Sequence, residues 1–142
     1  MQVHAISAYE TTAEAFFAKL AEWKTDLVLD ARLKNTNQLN GFTKEEDLEY
    51  FCKVIQHCDY VHDTTFSPEN SILEPYLDHK ISYEDFFAEY KDELQERDAL
   101  PYFFKTYGEY DSIAIVGTAT KKRHSHVEVL VKLIDEKLAE KD

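Results

Sequence analysis

Four short strand-like runs, Val3–Ser7, Leu27–Leu29, Tyr60–His62 and Ile113–Val116, are separated by segments whose apolar residues recur at helical spacing. That alternation restricts the fold more than any other feature. Neighbouring parallel strands need a crossover of a dozen or more residues, and the intervening segments have about that length. A chain that alternates in this way forms a parallel sheet covered by helices. With right-handed crossovers, the predicted fold is α/β: a three-layer Rossmann-like or rhodanese-like sandwich with a small, mainly parallel four-stranded sheet flanked by helices. Only three Gly and three Pro interrupt the pattern and no internal repeat is visible, so residues 1–142 read as one domain.

The helical segments carry their own start signals. Thr11 with Glu14, Thr43 with Glu46, and Ser125 with Glu128 have capping-box spacing, and Ser82 stands before a longer helix. The apolar faces that follow are Ala13, Phe16, Phe17, Leu20 and Trp23; then Leu48, Phe51, Cys52 and Ile55; then Tyr83, Phe86, Phe87, Tyr90 and Leu94; and finally Val127, Leu130, Val131, Ile134 and Leu138. Leu100 to Tyr107 reads as a separate short helix. From Asp63 to Pro75 the pattern gives only a loop or short helix, with Ser67-Pro68-Glu69 as a helix start.

Charge excludes some function classes. The chain has 28 acidic and 16 basic residues, a formal net charge of −12, and such a field repels nucleic acid non-specifically. No long apolar run suits a membrane span and no basic-then-apolar leader opens the chain. Cys52 and Cys58 are too few for a disulfide framework and read as packing residues. The expected location is the cytoplasm, and no cofactor is expected. The aromatic content is compatible with a homodimer.

Ligands of open parallel sheets bind beyond the carboxyl ends of the strands. That rule selects Ser7 and Tyr9, Asp30 and Arg32, Tyr60 and His62, and the loop from Gly117 to His126. The loop ends at a helix N-terminus and carries the densest positive run, Lys121-Lys122-Arg123, between which and the helix lie His124, Ser125 and His126. An anion site built from Arg32, Tyr60, Lys121, Lys122, Arg123, Ser125 and His126 is the expectation. The alternative for the same residues is structural: Ser125 a helix cap, the lysines solvated, Asp30 and Arg32 an ion pair. Zinc on His62, His124 and His126 is disfavoured, because no Cys ligand is at hand and residues two apart diverge at a helix start; no metal site is expected.

The run LVLDARLKNTNQLNGF from Leu27 to Phe42, followed by TKEEDLEYF and by Tyr60-Val61-His62, resembles the domain of unknown function family DUF488. The likeness extends to TTAEAFFAKL, ISYEDFFAEYKDEL and the end of the chain. The resemblance implies Asp-Val-Arg where this chain has Asp30-Ala31-Arg32, a Tyr-x-His element at Tyr60 to His62, then Cys-x-Glu after the last strand and Cys-His-Arg at the terminal helix. Gly117 and Ala119 stand at the Cys-x-Glu positions here, and Ser125-His126-Val127 replaces Cys-His-Arg. A thiolate at a helix N-terminus beside Arg would be nucleophilic; its absence argues against cysteine catalysis in this divergent member.

Three functions compete. The first is a non-catalytic protein that binds a phosphorylated or carboxylated ligand at the strand ends. The second is a hydrolase-type enzyme acting on a nucleotide or small phosphoester, with His62 or His126 as base and Asp30 orienting it. In the third, the acidic surface makes the chain an antagonist of a protein partner or a nucleic-acid decoy.

Overall fold

The computed structural model describes residues 1–35 and 38–140; Thr36 and Asn37 of the Asn-rich loop, and residues 141 and 142, lie outside it. Strands β1 (Gln2–Ser7), β2 (Leu27–Asp30), β3 (Asp59–His62) and β4 (Ser112–Gly117) form one sheet in the order β1-β4-β2-β3. All pairings are parallel, with β4 central: Ala5 and Leu29 both stand opposite Ile115. The residues of β2 and β4 are buried throughout, which explains their unbroken apolar runs.

Alternation along these strands divides the core in two. Leu27, Leu29, Ile113 and Ile115 face a layer made by α4 (Tyr83–Glu96), α5 (Ala99–Tyr107) and α6 (His126–Glu140), where Tyr90, Leu94, Phe103, Leu130 and Ile134 are buried. Val28, Ala114 and Val116 face α1 (Ala13–Glu22) and α2 (Glu45–Phe51), meeting Phe16, Phe17, Leu20 and Leu48. The expected three-layer α/β sandwich is thus present. A further helix, α3 (Asn70–Leu77), falls where sequence gave no clear period, and it contains Pro75. Among the described residues no helix is long and apolar enough to cross a membrane.

Local differences from the sequence reading have physical causes. Thr12, not Thr11, caps α1 by accepting from the Ala15 amide at 3.1 Å. Thr43 does not cap α2; it ends a 3-10 turn (Gln38–Thr43), is buried, and Lys44 holds the cap position. Ser82 caps α4 as expected, on the Asp85 amide at 3.1 Å. Beyond α2 the chain widens into a π-helical turn (Cys52–Gln56) closed by His57 with φ 56°. The wider turn breaks the 3.6-residue repeat, so Cys52 stays buried while Ile55 is 51% exposed, with Val54 and Tyr50 also exposed. Both cysteines are free and buried, and the Cys58 thiol donates to the Cys52 carbonyl at 3.8 Å, in keeping with packing roles.

Gly117, the last residue of β4, sets how closely α6 approaches the sheet. A Cβ there would lie 2.6 Å from Val127 Cγ2, 2.7 Å from Ser125 Oγ and 2.9 Å from Val127 Cβ. Gly117→Ala is therefore expected to lower stability by about 1–3 kcal/mol through overpacking. Urea unfolding measures this; an unchanged midpoint would mean that α6 begins farther from β4 than described.

Candidate functional site

The chain leaves β2 toward the α1–α2 face and leaves β4 toward the α6 face, although β2 and β4 are neighbours. Divergence of this kind opens a crevice at the strand ends. Residues 30–32 lie at this end of β2 and are tied to several elements at once. Arg32 lies across Asp30, with Nε 2.9 Å from Oδ1 and Nη2 2.7 Å from Oδ2, and Nη2 also donates to the Thr43 carbonyl at 2.6 Å. Asn35 Nδ2 and the Tyr60 hydroxyl donate to Asp30 Oδ2 at 3.1 and 2.5 Å. The Ala31 carbonyl accepts from Ser67 Oγ at 3.0 Å and His126 Nε2 at 2.7 Å, and the Arg32 carbonyl accepts from His62 Nε2 at 2.8 Å.

This network shifts the titration of Asp30, Tyr60 and His126. Burial alone would raise the Asp30 pKa, but the hydrogen bond and charge of Arg32, then Tyr60 and Asn35, bring it below the ordinary carboxylate value. Tyr60 is pushed up, first by burial and then by the charge of Asp30, so its hydroxyl remains a donor. Burial lowers His126 to about 4, against a smaller opposing effect of the Ala31 carbonyl. Neutral His126 thus gives its Nε2 hydrogen to a backbone carbonyl.

Arg32 is 1% exposed, and its Nη1 is buried with no hydrogen-bond partner among the described residues. Such a donor costs free energy unless something meets it. Arg32 lines a cavity of about 220 Å³ together with Lys34, Asn70, Glu74, Thr118, Arg123 and His126, with Leu33, Leu73, Leu77 and Tyr9 completing the wall. Asp30 matches the charge of Arg32, so Arg32 contributes direction; Lys34 and Arg123 against Glu74 leave one positive charge in excess. The Glu74 carboxylate is itself held by Asn70 Nδ2 at 2.8 Å.

Of the residues singled out from sequence, Tyr9, Arg32, Arg123 and His126 meet at this cavity, together with Thr118 from the loop after β4. The other candidates do not line it. An antiparallel bridge between Thr120 and Arg123 closes a tight turn, so the consecutive cations part company. Lys121 lies beside Ser7, Glu10 and Thr120, its amide donating to Glu10 Oε1 at 2.6 Å, and Lys122 lines a different cleft. Ser125 Oγ accepts from the Val127 amide at 3.2 Å, as a cap does, while Glu128 accepts from His124 Nδ1 at 2.6 Å instead of reaching back. Tyr60 acts beneath the cavity, through Asp30. Asp30 orients neither His62 nor His126, since among the described residues its carboxylate is met by Arg32, Asn35 and Tyr60. His62 Nδ1 instead lies 4.0 Å from Glu45.

Lys34, Asn70 and Glu74 were not expected. Lys34 follows Arg32 by two residues and had no motif around it; Asn70 and Glu74 belong to α3, whose course the sequence left open. Among the described residues no group of three His, Cys, Asp or Glu side chains is placed to hold a metal. A family model described as Domain of unknown function DUF488 matches residues 12–134, most of the chain. No curated protein and no solved structure matches it.

Proposed function

The chain belongs to the DUF488 family, and on that premise we propose that it binds a ligand bearing a phosphate or carboxylate group at the carboxyl ends of β2 and β4, without a cysteine nucleophile. The observation that supports this reading is Arg32 Nη1, a buried guanidinium donor left unpaired among the described residues, on a residue that lines the cavity. An anionic oxygen satisfies it with a charge-assisted hydrogen bond. Arg123 and Lys34 supply the excess positive charge, and the cavity suits one small anionic group better than a drug-sized molecule. A histidine-based hydrolase is less well supported, because both candidate histidines donate to backbone carbonyls and Asp30 is committed to Arg32.

Inorganic phosphate is expected to raise the thermal unfolding midpoint of the wild type in a saturable way at constant ionic strength. Arg123→Ala, a change at a half-buried position, should weaken that response at least several-fold. Arg32→Lys keeps a cation beside Asp30 but removes the forked donor set, and should weaken it likewise. Equal stabilisation of all three proteins would indicate a general salt effect and sink the reading.

A further inference from the structure

Arg123 belongs to two openings. Besides the Arg32 cavity it lines a cleft of about 410 Å³ with Tyr76, His79, Lys80, Tyr83 and Lys122. Lys80, Lys122 and Arg123 make no ion pair among the described residues, although the chain carries 28 acidic side chains against 16 basic ones. Glu128, an acid near this cleft, is occupied by His124 at 2.6 Å. Three cations without an ion pair around one opening outnumber Glu84 and Glu128, the acids that act on its tyrosines, and in a chain of net charge −12 they raise the local concentration of anions where the rest of the surface repels them. The inner cavity of about 220 Å³ shares Arg123 with the outer cleft, and a ligand with several linked anionic groups would pass from one compartment to the other along that side chain.

We propose that the site takes a chain of linked phosphates, one group seated at Arg32 and the next lying over Lys80 and Lys122, with Arg123 between them. This rests on the anion-binding reading above and specifies its ligand class. The chemistry is shared by a free oligophosphate and by the phosphate tail of a nucleotide. For the nucleotide, the ring of Tyr83, which lies 4.6 Å from that of His124, offers an aromatic surface at the outer end.

Isothermal titration at one ionic strength, with orthophosphate, tripolyphosphate and a nucleoside triphosphate as probes, tests this on the full chain. Tripolyphosphate is expected to bind at least tenfold more tightly than orthophosphate. The double variant Lys80→Ala with Lys122→Ala, both exposed positions, should erase most of that advantage and leave orthophosphate binding unchanged. A nucleoside triphosphate that binds more tightly than tripolyphosphate identifies a nucleotide as the source; equal or weaker binding identifies the free oligophosphate. Orthophosphate binding that depends on Arg32, with no tripolyphosphate preference or with a preference the double variant retains, would overturn this inference alone. No orthophosphate binding at all would overturn it together with the reading it rests on.

Discussion

Arg32→Ala is expected to destabilise the protein by about 3–5 kcal/mol, the cost of leaving one member of a buried ion pair without the other. Asp30 is 0% exposed and would keep only Tyr60 and Asn35 as side-chain donors, and the Thr43 carbonyl would lose the guanidinium that meets it. Adding Asp30→Asn to the same chain removes the stranded charge and should recover part of the loss. Urea unfolding of the two variants gives both numbers. A cost under about 1 kcal/mol for Arg32→Ala would mean that water replaces the guanidinium beside Asp30, and that residues 30–32 are not the dry knot described.

The second large effect is acid sensitivity through His126. The ordinary histidine value of 6.5 applies to the unfolded chain, whereas burial lowers the folded value to about 4. At neutral pH both states are unprotonated and the histidine favours neither. As the pH falls below 6.5 the unfolded chain takes up a proton that the folded chain refuses, so stability declines until the folded value is reached. The expected loss is about 2 kcal/mol between pH 7.5 and pH 5, approaching about 3 kcal/mol at lower pH. His126→Gln keeps an N–H donor for the Ala31 carbonyl and removes the titration. The wild-type and variant stabilities, measured by urea unfolding across this range, should therefore converge as the solution is acidified. Parallel curves would show that His126 is already charged, or already hydrated, in the folded protein.

How far the sequence revealed these features depended on how local their causes are. Leu27 to Leu29 and Ile113 to Val116 were legible because a strand buried on both faces has no polar positions to blur its limits. The faces of α4 and α6 were legible by their 3.6-residue repeat, and the repeat misplaced Ile55 where the backbone widens into a π turn. Asp30 and Arg32 stood out because polar residues at the end of an apolar strand fall where parallel sheets bind ligands. What made Arg32 informative was less accessible: Asp30 and the Thr43 carbonyl take its Nε and Nη2 donors while Nη1 has no partner among the described residues, and Thr43 had the spacing of a helix cap. Lys121, Lys122 and Arg123 looked like one cluster along the chain, and a four-residue turn sent Lys121 to a separate opening while Lys122 and Arg123 stayed on a shared one.

The contact at Gly117 also imposes an order on sequence change. Because Val127 Cβ itself stands within 2.9 Å of where a side chain at 117 would begin, trimming residue 127 to alanine does not make room for one. The resemblance noted from the sequence implies a cysteine at that position, and a chain that carries one has to hold the start of its last helix farther from the sheet than this one does. Installing any larger residue at 117 here therefore takes two changes, one that loosens the start of α6 and one that adds the side chain. A thiol placed there by substitution alone meets a steric barrier before its reactivity matters.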